Sequence, residues 1–486
     1  MSKNKKKIDI TYQGFGACER VTGSAHKISI KVKNKETNIF LDMGMTQENR
    51  LNARQLMEVN RITTDFSDID CIIASHSHAD HIMSLCQLSR VNFKGDIYMT
   101  EGTLKMAEHI TLDGVSIHDK TIEYLNKQSK NGKKTLPFMD MRSRQYALDR
   151  VKAYGFNHWI ELADGIRFKF LHAGHISFAS MILIEVRDEY DVETILYTGD
   201  TSANRNIPFT SKPNIEKLKI NHLITESTYS NVHIPQREEH IIVEDLYRIL
   251  KQSCLDKNAD VMIPSFAQSR SSNLAYYLFK TYQKYPELNK VPIYMASPLM
   301  AKCHKTIGEG FEDYDEQWQE YKDLFSWNRI TNITEYPDVL RITNSNVGKC
   351  WVVSSGMADQ GYASFLTSHI VKSRKNTLCF VGYCAAGPTG AKLLKGEQKT
   401  LTTNIDGEKV TVNIRAKIEN LVGMSSHASG YEILQMMETA EKKKLKNVIC
   451  VHGDKDRADK LGEIFKKKYS NIKTFTPKER QIIKLT

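Results

Sequence analysis

Four metal-ligating side chains fall within the six residues His76-Ser77-His78-Ala79-Asp80-His81. They follow Cys71-Ile72-Ile73-Ala74-Ser75, a short apolar run that reads as a buried strand. Extended side chains alternate, so His76 and His78 project to one side of the strand end. A helix beginning in the next turn swings Asp80 and His81 toward a neighbouring point. Such groups are costly to desolvate together unless a cation satisfies them. The set can serve two adjacent ions, and imidazole with carboxylate and no thiolate suits Zn²⁺, with Mn²⁺ or Fe²⁺ as competitors. The competing reading is a polar loop whose histidines cap the helix.

Further ligands are expected from other strand ends. His175 lies in Leu171-His-Ala-Gly-His-Ile, where Gly174 allows a tight turn. Asp200 ends Ile195-Leu-Tyr-Thr-Gly-Asp, and His452 ends Asn447-Val-Ile-Cys-Val-His. Each could equally be a satisfied polar group at a sheet edge. Asp42, in Ile39-Phe-Leu-Asp-Met-Gly, has the same placement and could instead orient a histidine.

The elements that must position these groups read as strands over Ile8–Tyr12, Lys27–Val32, Thr37–Leu41, Cys71–Ala74, Asp96–Met99, Phe168–Leu171, Met181–Val186 and Thr194–Tyr197. From about Leu223 the pattern becomes regular strand–helix alternation, with helices near Arg237–Leu255, Ser271–Tyr285 and Tyr362–Val371, implying parallel sheet flanked by helices. Lys399–Ile414 reads as a hairpin turning at Asp406-Gly407, and Val448–Val451 with a helix from Asp454 closes the chain. The fold class is therefore α/β.

Composition narrows the setting. With 486 residues, 41% apolar and 26% charged, the chain has ordinary globular composition, which excludes collagen-like and disordered classes. No apolar run approaches the ~18 residues of a membrane span, and no secretory signal is evident, so no membrane partner and a cytoplasmic location are expected. Nine cysteines without a C-x-x-C pair read as buried thiols. Lys plus Arg (68) exceed Asp plus Glu (57), giving +11, which is compatible with a polyanionic partner.

His76-x-His78-x-Asp80-His81, with the strand-end groups above, resembles the metal-binding motif of the metallo-β-lactamase superfamily. Gly14-Phe-Gly-Ala-Cys-Glu-Arg-Val-Thr-Gly-Ser-Ala-His26, Glu226-Ser-Thr-Tyr, Ser425-Ser-His427 and Val451-His452-Gly453 narrow this to the β-CASP nucleases, the last three matching their motifs A, B and C. Ile263-Pro-Ser-Phe, Ala296-Ser-Pro-Leu, Ser354-Ser-Gly-Met and Gly382-Tyr-Cys resemble loops of the inserted domain. The resemblance runs from about residue 8 to residue 460. It implies an αββα metallo-β-lactamase sandwich formed by residues 1–207 and 422–486, with a Rossmann-like, parallel-sheet β-CASP domain inserted over residues 208–421.

Carried onto this chain, the resemblance implies two Zn²⁺ (Mn²⁺ as the alternative). One would be held by His76, His78 and His175, the other by Asp80, His81 and His452, with Asp200 bridging and Asp42 behind the ligands. The implied reaction is hydrolysis of RNA phosphodiester bonds by metal-activated water, in RNA processing or decay. Asp80 and Asp200 then belong to the catalytic set, with His427 as general acid for the leaving 3′-oxygen and Glu226 orienting it. His452 at motif C is the RNA-type mark, so single-stranded RNA is the expected substrate. The alternatives are a single-stranded DNA nuclease on the same site and a non-catalytic RNA-binding scaffold. Arg270, Ser355 and Lys392 are candidate RNA contacts, and a homodimer is compatible with this reading. Four positions depart from the family pattern: Ser429 replaces an acidic residue in motif B, Gln360 and Tyr362 fall in a loop that often carries Gly-Gly-Arg, and Pro388 falls where a basic residue is often seen. These leave the substrate-binding mode and the balance of endo- and exonucleolytic cleavage open.

Overall fold

The computed structural model describes residues 8–48, 51–129, 134–232, 237–309, 318–382, 389–396, 398–405, 408–441 and 444–486. Asp406-Gly407, Tyr383, Pro388 and parts of the basic runs near residues 130 and 442 lie outside them. The chain divides into two compact units, one of residues 1–233 and 426–486 and the other of residues 234–425.

The first unit is built on two seven-stranded sheets. One runs in the order Ile482–Lys484, Ile8–Gly16, Ala25–Val32, Lys35–Leu41, Cys71–Ile73, Asp96–Thr100, Val151–Tyr154. The other runs Lys473–Phe475, Asn447–Val451, His222–Glu226, Val192–Tyr197, Ser180–Arg187, Ile166–His172, Ile160–Ala163. Strand alternation sorts the side chains into layers. Ile10, Ile28, Ile39, Cys71 and Ile73 from the first sheet meet Phe168, Phe170, Ile184, Ile195, Ile224 and Ile449 from the second in one central core. The opposite face of the first sheet, through Phe40, Ile72, Ile97 and Met99, packs on Leu85, Leu88, Ala107 and Ala147. That of the second, through Leu183, Leu196, Leu223, Val448 and Cys450, packs on Ile433, Met436, Ala458, Leu461 and Phe465 from two helices. Sheets buried on both faces need continuous apolar runs, which is why Asn447–Val451 carries Val448, Ile449, Cys450 and Val451 in succession. The result is the expected αββα sandwich.

Two of the differences from the sequence reading bear on the layers around the site. Strand His222–Glu226 pairs in parallel with both Val192–Tyr197 and Asn447–Val451, so residues 208–233 group with the sandwich rather than with the insertion. The 27-residue helix Glu101–Lys127 is absent from that reading, because Gly102, Gly114 and its threonines weaken the local helical signal. Burial decides it instead: Met106, Ala107, Thr111 and Val115 face the core, and Thr100 accepts from Thr103 N as its cap. Gly114 lets Met83 pack closely on the helix, since a Cβ there would lie 2.4 Å from Met83 Sδ and push that side chain aside.

The second unit contains a six-stranded sheet in the order Ile330–Ile333, Ile293–Ala296, Cys350–Val353, Val261–Pro264, Thr377–Phe380, Lys417–Asn420. Every neighbouring pair is parallel, as helical crossovers require. Counted along the chain the order is 3-2-4-1-5-6, so the unit shares an open parallel sheet with dinucleotide-binding folds but not their usual 3-2-1-4-5-6 order. Its core joins Met262, Trp351, Val353, Leu378 and Phe380 to Val339, Leu366 and Ile370 from helices. A two-stranded ladder pairs Thr400–Ile405 with Glu408–Asn413, matching the expected hairpin.

Candidate metal centre

Parallel register brings the candidate ligands of the first unit to the same end of their strands. Leu41 pairs with Ile73, so Asp42 and the Ser75–His78 segment leave the first sheet side by side. In the second sheet Tyr197 pairs with Ile224 and Glu226 with Val451, which aligns Asp200, Glu226 and His452. His78 is the N-cap of the short helix Ala79–Ile82, so Asp80 and His81 turn inward from its first turn. His175 follows Ile166–His172 through Gly174, a position that favours glycine: its φ is +72°, and a Cβ there would lie 2.3 Å from Ser202 Oγ.

The side chains converge in two groups. Nε2 of His76 lies 3.1 Å from Nδ1 of His78, and Nε2 of His175 lies 3.3 Å from the same atom. His76 and His175 approach Oδ2 of Asp200 at 3.7 and 3.5 Å. On the other side, Nε2 of His81 and Nε2 of His452 are 3.2 Å apart, and each approaches Oδ1 of Asp200, at 3.4 and 3.5 Å. Asp80 Oδ2 is 3.5 Å from His452 Nε2. One carboxylate therefore presents a different oxygen to each group. His76, His78, His175 and Asp200 have their ligand atoms within 4.8 Å of one another, as do Asp80, His81 and His452.

The outer nitrogens are held by oxygens. His81 Nδ1–H donates to Asp42 Oδ2 at 2.7 Å, and Nδ1 of His452 is 3.1 Å from Thr228 Oγ1. Nδ1 of His76 is 3.0 Å from Ser75 Oγ, and Nδ1 of His175 is 3.2 Å from Ser426 Oγ. This is how proteins fix the tautomer of a ligating imidazole. Asp42 also accepts from Ser75 N, Ser75 Oγ and Tyr197 Oη at 2.6, 2.7 and 2.6 Å. The sequence reading does not single out Thr228, Ser75, Ser426 or Tyr197, although each sits within three residues of a predicted site residue. Asp42 and His452 both adopt left-handed backbone, with φ of +59° and +52°, a region uncommon for non-glycine residues but one that Asp and His enter more readily than most.

The donor set fits divalent cations. Asp200 Oδ1 is buried and has no hydrogen-bond donor among the described residues, and the ligand-side nitrogens of paired imidazoles face one another beside it. Burial holds His76, His78 and His175 below the usual histidine range, His78 at about 4. Burial alone would raise the Asp200 carboxyl, but His452 and His81 hold it well below its ordinary value. Neutral imidazoles around an ionised carboxylate are the protonation states that ligation requires. Burial also opposes charge on His81, yet Asp200 and Asp42 raise it, so a cation competes there with a proton.

Beside this cluster, His427 Nδ1 lies 2.7 Å from Glu226 Oε2, and Glu226 Oε1 accepts from Thr201 N at 2.6 Å. Glu226 is buried, whereas the His427 side chain is 18% exposed, so the imidazole can reach a substrate. Its Nε2 is 4.0 Å from Asp200 Oδ2. The ligand and acid–base residues named from the sequence thus gather in the first unit.

The candidate RNA contacts lie in the second unit. Arg270 starts the helix Arg270–Lys284, donates from Nη1 to Val381 O at 3.1 Å, and faces the Phe266 ring at 5.6 Å. It lines a small pocket with Pro264, Ser265, Gly356 and Gly382, at the C-terminal edge of the parallel sheet. Ser355 Oγ instead donates to Asp359 Oδ1 at 2.6 Å, and Lys392 is exposed on the helix Thr389–Leu394. Of the departing positions, Gln360 precedes the helix Gly361–Ile370, Tyr362 donates to Thr334 O, and Ser429 is the N-cap of the helix Gly430–Met437.

Comparison with known proteins matches residues 30–264 to the metallo-beta-lactamase superfamily, residues 272–393 to the Beta-Casp domain and residues 411–477 to the Zn-dependent metallo-hydrolase RNA specificity domain. A ribonuclease of Thermus thermophilus is 25% identical over 458 residues, 93% of this chain and 94% of that protein. Cleavage and polyadenylation specificity factor subunit 3 of Dictyostelium discoideum is 26% identical over 437 residues, covering 87% of this chain and 51% of that one. An endoribonuclease of Yarrowia lipolytica is 27% identical over 487 residues, covering 97% of this chain and 53% of that protein. The chain thus spans nearly all of the bacterial relative and about half the length of these two eukaryotic ones.

Proposed function

Because the chain belongs to the β-CASP family of the metallo-β-lactamase superfamily, we propose that it is a metal-dependent ribonuclease that cleaves single-stranded RNA. The observation that carries this reading is the convergence of seven imidazole and carboxylate ligands around Asp200, with the His427–Glu226 pair alongside. We assign His76, His78 and His175 to one Zn²⁺ and Asp80, His81 and His452 to a second, with Asp200 between them. When bound, such a pair acidifies the attacking water and neutralises charge growing on the phosphoryl oxygens.

The remaining chemistry falls to the chain. The leaving 3′-oxygen needs a proton at neutral pH, and His427 is a partly exposed imidazole beside the ligands. Glu226 accepts from its Nδ1–H, which fixes Nε2 toward the substrate side and stabilises the imidazolium before transfer. The proton passes from Nε2 to the 3′-oxygen as the P–O bond breaks, leaving a 3′-hydroxyl and a 5′-phosphate. Glu226 is itself fixed by Thr201 N, adjacent to Asp200. The name of the Yarrowia relative favours endonucleolytic cleavage.

The test uses the purified, metal-quantified chain with circular, 5′-phosphorylated and 5′-hydroxyl single-stranded RNA, and with matched DNA. Loss of the circle is expected, with DNA cut more slowly. His427→Ala should keep its metal and lose about 10²- to 10⁴-fold in turnover. Full metal loading without cleavage of any RNA would overturn the ribonuclease reading, and full turnover by His427→Ala would overturn the acid assignment.

A further inference from the structure

The loop bearing Asp200 and the loop bearing His427 are fastened together by groups outside the set of seven ligands. Arg205, five residues beyond Asp200, has a side chain only 1% exposed. Its Nε approaches Glu432 Oε1 and Oε2 at 3.0 and 3.2 Å, and its Nη2 donates to Oε2 at 2.9 Å. Glu432 is the N3 residue of the helix Gly430–Met437, which starts three positions after His427. It also accepts from Ser429 N and Ser429 Oγ, each at 2.7 Å, while Ser429 Oγ receives Glu432 N. This reciprocal capping box satisfies the first orphan donors of the helix. The departure at Ser429 from the motif B pattern is therefore a cap whose carboxylate partner lies one turn further on.

A second strand of the fastening runs through the backbone. Ala428 N donates to Thr201 O at 2.8 Å, Thr201 Oγ1 and Ser202 N donate to Ala173 O, and Ser426 Oγ reaches His175 Nδ1. His427 is thus held between two neighbours that are tied to ligand-bearing loops, and Arg205–Glu432 is the ionic bolt behind it. Burying a guanidinium is expensive, and replacing such a pair by apolar residues is commonly neutral for stability. A bidentate Arg–carboxylate pair does, however, fix orientation in a way that apolar contact does not.

We propose that Arg205, Glu432 and Ser429 form a clamp of positioning residues that sets the imidazole of His427 against the leaving group. This rests on the general-acid reading of His427. The test compares ordinary RNA with RNA whose scissile 3′-oxygen is replaced by sulfur, because a 3′-thiolate leaves without needing a proton. The double variant Arg205→Met/Glu432→Met removes the buried guanidinium together with its partly exposed carboxylate partner, so no unpaired charge is left behind. Its metal content and KM should match the unaltered protein. Its kcat on ordinary RNA should fall about 10- to 100-fold, and on the sulfur-substituted linkage it should return to within about twofold of the unaltered protein. Arg205→Lys, which keeps the charge but not the paired contacts, should show a smaller loss that sulfur also relieves, and provides the readout if the double variant does not fold. Unchanged kcat on ordinary RNA, or an equal loss on both linkages while His427→Ala is relieved by sulfur, would overturn the clamp alone. If His427→Ala is not relieved either, the general-acid reading fails and the clamp with it.

Discussion

Both units bury charge at the ends of parallel-paired strands, but they finish it differently. In the second unit Lys349 and Asp260 sit at the N-terminal ends of Cys350–Val353 and Val261–Pro264. The ammonium lies 3.1 and 3.3 Å from the two carboxylate oxygens and 3.1 Å from Ser345 O, and Trp351 Nε1 donates to the same carboxylate at 3.3 Å. That pair is complete within the chain. In the first unit the groups collect at the C-terminal strand ends, and imidazole faces imidazole around an Asp200 oxygen without a donor among the described residues. Among those residues, too, every cluster of three or more such ligands lies in this unit. A self-paired charge specifies structure, whereas a set of unmatched acceptors specifies a cation.

Three perturbations press on that contrast. The largest effect is expected from Asp200→Asn, which removes the carboxylate facing both ligand groups. Metal content by elemental analysis and RNA cleavage should disappear together, with turnover down by about 10³-fold or more, while amide exchange of the second unit stays unchanged. A fully loaded, active Asp200→Asn protein would break the contrast at its centre. Next, Asp260→Asn leaves the Lys349 ammonium buried without its counter-charge. It should destabilise the second unit by about 3–5 kcal/mol, read as faster exchange in Val261–Pro264 and Cys350–Val353, with metal content intact. The smallest effect concerns His304, half-buried on the helix Pro298–Gly308 beside Ser272 Oγ and held by desolvation at about 4. Its folded value lies below the ~6.5 of an unfolded chain, so its neutral form contributes stability above pH ~6.5 that is lost as pH falls toward 4. The slope is at most about 1.4 kcal/mol per pH unit, and His304→Gln should flatten that part of the second unit's pH–stability curve.

Legibility from sequence followed the range of the interaction involved. The His76–His81 run is readable because its four ligands share one strand end and one helical turn, and the strand Val448–Val451 is readable because two-sided burial demands an unbroken apolar run. The helix Glu101–Lys127 escapes a local reading because tertiary packing, not local propensity, sustains it. The boundary expected after residue 207 moves because His222–Glu226 is fixed by pairing with Asn447–Val451, more than 200 residues away in sequence. The parallel sheet of the second unit is legible in its strand–helix alternation, but its 3-2-4-1-5-6 order is not, since crossover helices can carry the chain to either side of a strand.

The sequence by itself determined which chemistry is available: the imidazoles and carboxylates, their attachment to strand ends, and the family to which the motifs point. Only the tertiary structure decided that one oxygen of Asp200 faces His76 and His175 and the other faces His81 and His452. It also decided that Thr228, Ser75 and Ser426 hold the outer nitrogens, and that Arg205 reaches Glu432 across 227 positions. The physical reason is that residue type fixes what an atom can donate or accept, whereas distance between atoms far apart in the chain is set by sheet register and layer packing.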